Sequence, residues 1–233
     1  MRRILLPLLH LWFCSCGPAP LTAQSSIHDF ELGGTARILN EECIRLTPDR
    51  QFAGGSAWYK DAINLAGPFE MRVCLVLGAK DSLGADGIVF VFHPRKQTGY
   101  RGEGMGFSGL QPSLGIEFDT YQNRHLDDPP EDHLAVMHDG WTWHGASILG
   151  PVNLPNLEDG QKHLLEINWD PIISLLTVRV DNVLRASYRE DIVGTVFGGN
   201  STVHWGVTAA TGRKSNYQDI CIKRLLFAGV GPR

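Results

Sequence analysis

The sequence predicts an all-β domain, a sandwich or barrel of short antiparallel strands. Three observations carry that expectation. Segments of alternating or solid apolar residues recur along the chain, separated by clusters of Gly, Pro, Asn and Asp. No window sustains a helical period between capping residues. The 233 residues are 43% hydrophobic and 20% charged, which suits one large β domain with a full core.

The elements follow in order. Short strands are expected at 36-ARIL-39 and 43-CIRLT-47. In 69-FEMRVCLVL-77 the apolar positions alternate, so Phe69, Met71, Val73 and Leu75 point inward and Cys74 points away with Arg72. Further strands are expected at 87-GIVFVFH-93, 114-LGIEFDTY-121, 133-HLAVMH-138, 203-VHWGVTAA-210 and 220-ICIKRLLF-227. The pair 163-HLLEINWD-170 and 175-LLTVRVD-181, joined by four residues, reads as a hairpin. The glycine-rich stretch 99-GYRGEGMGFSGL-110 is followed by a strand and not a helix, which argues against a phosphate cradle.

The N-terminus has the pattern of a secretory signal peptide over residues 1–23, leaving a domain from 24 to 233. Arg2 and Arg3 precede an apolar run, and Leu21-Thr22-Ala23 offers a cleavage site before Gln24. Lipidation at Cys16 fits less well. The mature chain is therefore expected to be exported, to the periplasm, the cell surface or the medium. No segment is long and apolar enough for a transmembrane helix. The net charge of −4, with no block of Lys or Arg, argues against a nucleic-acid partner. Cys43, Cys74 and Cys221 remain in the mature chain. That odd number allows at most one internal bridge. A Cys43–Cys74 bridge and three unpaired thiols are both open readings, and no CxxC spacing suggests zinc fingers.

The densest chemistry lies in 117-EFDTYQNRHLDDPPEDH-133. Strand alternation puts Glu117, Asp119, Tyr121 and Asn123 on one side, opposite Ile116 and Phe118. Adjacent carboxylates repel unless a cation or proton sits between them. The turn through Pro129-Pro130 could return Asp128 and His133 towards the strand. Carboxylates, an amide oxygen and a carbonyl are calcium donors, whereas an imidazole suits a transition metal. A solvated acidic loop, a pair of catalytic carboxylates and a metal cage all remain open on the residues alone.

The run Glu117-x-Asp119-x-Tyr121-x-Asn123, then Asp128 and His133, resembles the metal-binding signature of the legume-type (L-type), concanavalin A-like lectins. In the family's order, 85-ADGIVFVF-92 resembles its Ala-Asp-Gly strand entry, 104-GMGFSGL-110 its glycine-rich sugar-binding loop, 166-EINWDPIISLLTVRVD-181 its late hairpin and 206-GVTAATG-212 the segment before its specificity loop. The likeness spans nearly the whole mature chain, and the bacterial secreted branch is nearest. It implies a jelly-roll sandwich of two large antiparallel sheets. It implies Ca2+ at Asp119, the Tyr121 carbonyl, Asn123 and Asp128. A second, transition-metal ion such as Mn2+ would use Glu117, Asp119, Asp128 and His133. It implies glycans as partners, with a homodimer left open. Asp86, after a cis Ala85-Asp86 peptide, would accept sugar hydroxyls. Asn123 would touch both calcium and sugar, the Gly106 amide would donate, and Tyr121 would stack on the sugar. The backbone of Arg213 and Lys214 would close the pocket. The short segment from Gly212 to Ile220 resembles that of mannose/glucose-binding members.

Two other classes stay open beside this one. Jelly-roll glycoside hydrolases carry Glu-x-Asp-x-x-Glu on one strand, but Gln122 stands where the second glutamate is needed. A structural adhesion module would keep the ions and bind no sugar. Trp141, Trp143 and His144 in 138-HDGWTWHG-145 read as turn and core residues.

Overall fold

The computed structural model describes residues 26–228, so the expected signal peptide lies outside the described residues. In chain order the strands are β1 (Phe30–Gly34), β2 (Arg37–Ile38), β3 (Cys43–Thr47), β4 (Gly54–Tyr59) and β5 (Ile63–Asn64). They continue as β6 (Phe69–Val76), β7 (Gly87–His93), β8 (Leu114–Asp119), β9 (His133–His138) and β10 (Leu149–Asn153). The last five are β11 (His163–Asp170), β12 (Leu175–Val180), β13 (Val183–Arg189), β14 (Thr202–Ala210) and β15 (Gln218–Phe227). A four-residue α-helix, α1 (Ile192–Thr195), is the only α-helix among the described residues. The Asp191 side chain caps it by accepting from Gly194 N.

Two antiparallel sheets pack face to face. One has eight strands in the order β1-β4-β14-β7-β8-β9-β10, with β5 paired to β14. The other has seven, in the order β13-β12-β11-β6-β15-β3-β2. The core between them takes Ile88, Phe90, Ile116 and Phe118 from the first sheet and Met71, Val73, Leu165 and Ile167 from the second. In β6, β7 and β8 the pleat turns alternate residues into this core. The expected hairpin is β11–β12, with Asp170 opposite Leu175.

The outer face of the eight-stranded sheet is also covered. Trp58, Val89, Val91, Met105, Phe107, Leu110, Ala135 and Met137 form a second apolar cluster there. Glu117 pairs with Val89 on one side and Ala135 on the other, so it lies on this same face. Asp119 pairs with Gly87 and His133. The pleat therefore carries both carboxylates out of the core and into a second buried layer.

Several strands differ from the sequence expectation, each for a local reason. All six residues of β4, Gly-Gly-Ser-Ala-Trp-Tyr, are buried, so no polar alternation marks it. The edge strand β13 buries only Ala186 and packs a half-buried Tyr188 against the core. β10 carries a bulge and the cis bond Gly150-Pro151, which suits an edge position. The cysteines need a correction. β15 lies between β3 and β6, and Cys221 stands opposite both Cys43 and Cys74. The bridge is Cys43–Cys221, and Cys74 is the free, buried thiol.

Candidate metal and carbohydrate site

The site grows from the end of β8. Asp119 is its last residue, and Asp119 Oδ1 accepts from Tyr121 N at 2.7 Å, which starts a turn. A 3₁₀ turn over Arg124–Leu126 follows, and Asp127 takes a left-handed conformation with φ 65°. That reversal returns Asp128, whose Oδ2 accepts from Asn123 N at 2.6 Å. Gln122 Nε2 donates to the Asp128 carbonyl at 3.3 Å. β9 then opens with His133 directly across from Asp119. Donor atoms of Asp119, Asp128 and His133 lie within 4.8 Å of one another, and so do those of Glu117, His133 and His144.

This layer holds a large excess of buried charge. Burial, with the neighbouring Glu117 and Asp128 charges, pushes the Asp119 carboxyl well above its ordinary range. Burial also raises Glu117, partly offset by His144. Burial and the nearby His144 draw His133 down to about 4. Burial opposes a charge on His144 too, but the Asp128 and Glu117 carboxylates outweigh it and hold the ring at about 10. Asn123 Oδ1 and His133 Nε2 are buried with no hydrogen-bond partner. Unmatched buried acceptors beside paired carboxylates are what a cation would satisfy. The oxygen set Asp119, Asn123 and Asp128 fits calcium, and the imidazole side fits a transition metal.

Above the metal layer lies a cleft of about 310 Å³, lined by Asp86, Tyr121, Asn123, Gly102, Glu103 and Lys214 among others. Asp86 enters it just before β7, after the cis Ala85-Asp86 peptide. The Ala85 carbonyl accepts from Asn216 N at 3.2 Å and Gln218 Nε2 at 3.1 Å, which fixes the approach to Asp86. Asp86 is 4% exposed, and its Oδ2 has no hydrogen-bond partner. Burial, then the Glu103 charge, pushes its carboxyl up to about 7. A Cβ added at Gly212 would stand 3.3 Å from Asp86 Oδ1, so glycine leaves that oxygen room. The Lys214 ammonium sits 5.1 Å from the centroid of the Tyr121 ring.

The family model described as the legume lectin beta-barrel domain matches residues 21–224. The chain belongs to the legume-type (L-type) lectin family. Its fold is that family's carbohydrate-binding fold. A galactose-binding lectin of Arachis hypogaea is 39% identical over 75 residues, which are 29% of this lectin and 26% of the relative. The pesticidal crystal protein Cry22Aa of Bacillus thuringiensis is 33% identical over 145 residues, 60% of this lectin and 18% of the relative. The lectin thus spans a minor share of either relative. The Bauhinia forficata lectin in complex with GalNAc superposes with a TM-score of 0.71 at 19% identity, over 91% of this chain and 96% of that one. The VIP36 exoplasmic/lumenal domain in its Ca2+/Man-bound form gives 0.69 at 22%, over 88% and 85%.

Within the lectin's site, the structure gathers Asp86, Tyr121, Asn123, Arg213 and Lys214 around the cleft. It gathers Glu117, Asp119, Asp128 and His133 below it. Gly106 does not join them, which corrects the expectation for its amide. Its N–H donates to the Tyr100 carbonyl at 2.7 Å, and Gly102 and Glu103 form that wall of the cleft instead. The glycine spacing alone could not say which glycine faces outward. Arg213 acts through its backbone carbonyl, which accepts from Gln51 Nε2, whereas the Lys214 side chain also takes part, its Nζ donating to the Ser82 carbonyl, both at 2.5 Å. His144 is the residue the sequence reading missed. It is buried, with Nε2 2.8 Å from Glu117 Oε2. Its one available signal was a histidine in a short turn not far beyond His133.

Proposed function

We propose that this lectin is an exported, calcium-dependent glycan-binding protein that holds its sugar without cleaving it. The observation that carries the reading is Asp86. It is an unpartnered buried carboxylate facing a cleft that also holds an aromatic ring and an amide side chain. An ionised Asp accepts two charge-assisted bonds from neighbouring hydroxyls. The Asn123 amide and the Gly102–Glu103 segment supply further polar contacts, and Tyr121 covers the sugar's C–H face. Asp119, the Tyr121 carbonyl, Asn123 and Asp128 would hold calcium, with a transition-metal ion beside His133. Bound calcium supplies the positive charge that offsets these carboxylates and orders the loop that carries Tyr121 and Asn123.

Hydrolysis is disfavoured by the same geometry. Glu117 is 1% exposed and lies under the cleft against His144, away from any sugar. Gln122 lies beyond β8 and donates to the Asp128 carbonyl. Export is supported by the pattern of residues 1–23 and by the Cys43–Cys221 bridge, since disulfides persist in oxidising compartments. The short segment after Gly212 favours mannose or glucose. The VIP36 domain carries mannose, whereas the peanut relative is a galactose-binding lectin, so the array needs all three sugars. The test is glycan binding with and without a calcium chelator. Binding that ignores the chelator would remove calcium from the account.

A further inference from the structure

Two histidine rings meet in the buried layer beneath the cleft. His133 comes from β9 and His144 from the 3₁₀ turn His144–Ala146, and their centroids are 4.9 Å apart at 85°. The family resemblance accounts for the first ring only. Each ring turns Nδ1 towards an oxygen. His133 Nδ1 lies 3.2 Å from the Glu131 carbonyl, and His144 Nδ1 lies 3.2 Å from Asp128 Oδ1. The second contact is of ion-pair length but off hydrogen-bond geometry. A neutral imidazole with its hydrogen on Nδ1 has its lone pair on Nε2. His133 Nε2 is buried and meets no donor. His144 Nε2 points at Glu117 Oε2. A carbonyl or carboxylate on Nδ1 orients metal-bound histidines; His133 Nε2 is already free, and His144 Nε2 becomes free once it gives up its contact with Glu117.

We infer that Glu117, His133 and His144 form a nitrogen-rich site for a borderline transition metal of the zinc class, with His144 as a direct ligand. Their donor atoms already lie within 4.8 Å of one another. Two imidazoles and one carboxylate make a zinc-type donor set, whereas manganese favours a set dominated by oxygen. As the ion binds, His144 releases its Nε2 proton to solvent, and the Glu117–His144 hydrogen bond gives way to two bonds to the ion. Asp128 then fixes His144 through one oxygen and keeps its other on Asn123 N. The inference deepens the proposed function and rests on it in one respect: the Asp119–Asn123–Asp128 oxygens are left to calcium.

The test uses the mature chain, stripped with chelator and reloaded with zinc, manganese or cobalt in excess calcium. Elemental analysis should return about one zinc per chain, held far more tightly than manganese. Cobalt should give the intense visible absorption of a four- or five-coordinate site. His144→Gln should weaken zinc by at least about tenfold and abolish the intense cobalt absorption. Equal affinity for manganese, or zinc binding unchanged in His144→Gln, would overturn the inference. So would a wild-type chain that takes calcium and glycan but no transition metal, since His144 would then fill the position as an internal cation. The wild-type cobalt spectrum decides the question even if the variant fails to fold. Zinc uptake with no calcium-dependent glycan binding would sustain this site and overturn the proposed function instead.

Discussion

The Asp86 carbonyl accepts two hydrogen bonds from Thr120, one from its backbone N at 2.9 Å and one from its Oγ1 at 3.0 Å. Thr120 stands between Asp119 and Tyr121, so the residue proposed to hold sugar is tied directly to the segment proposed to hold calcium. This extends the β7–β8 ladder past Gly87–Asp119 by one step.

Thr120→Val should loosen that tie while preserving shape. A hydrogen bond of this kind contributes about 1 kcal/mol. We expect glycan affinity to fall several-fold, with calcium affinity nearly unchanged. Isothermal titration of both ligands checks this, and equal losses in the two would contradict the coupling.

Asp86→Asn separates binding from stability. Hydrogen bonds to a charged group contribute about 1.5–3 kcal/mol, so glycan affinity should fall by about 10- to 100-fold or more. The fold should not suffer, because the lost charge is buried and unpartnered. Folded Asp86 keeps its proton to about pH 7, against an ordinary value of 3.8. The folded chain thus binds the extra proton, and the calcium-free protein loses stability as pH rises through that window. The limiting slope is about 1.4 kcal/mol per pH unit. Chemical denaturation across pH should show a flatter profile for Asp86→Asn than for wild type.

Glu103→Gln probes the same carboxylate from the cleft wall. Glu103 adds to the upward push on Asp86 and accepts from Asn123 Nδ2 at 3.3 Å. Sugar binding needs ionised Asp86, so affinity should fall as pH drops through its pKa. Calcium's charge lowers that midpoint below 7, and Glu103→Gln should lower it further. A midpoint that moves upward, or not at all, would count against Asp86 as the titrating group.

Much of this was legible in the sequence, for physical reasons that differ by residue. Phe69–Val76, with alternating apolar positions, and Gly87–His93, an apolar run buried on both faces, announced themselves by their large side chains. Gly54–Tyr59, equally buried but opening on Gly-Gly-Ser-Ala, did not. In the acidic run, i, i+2 spacing fixed a shared side for Glu117 and Asp119 only, because β8 ends at Asp119 and a turn places Tyr121 and Asn123. Spacing could not disclose His144 or Glu103, which reach the site from separate loops. Nor could it reveal the Cys43–Cys221 pair, which depends on β15 lying between β3 and β6.

That bridge closes a separation of 178 residues. Constraining so long a loop in the unfolded chain should contribute about 5 kcal/mol at most. Replacing Cys43 and Cys221 with Ala should lower the denaturation midpoint accordingly. Cys74 is buried, so it should resist alkylation in the native bridged protein and react on unfolding. Rapid native labelling of Cys74 would contradict its placement.

The most direct measurement is binding of wild type and Asp86→Asn to an array of mannosides, glucosides and galactosides, with calcium and then with chelator. Wild type should bind only with calcium, recover when calcium is restored, and lose binding in Asp86→Asn. Wild-type binding that survives the chelator, or Asp86→Asn binding as well as wild type, would contradict a calcium-ordered sugar site at Asp86.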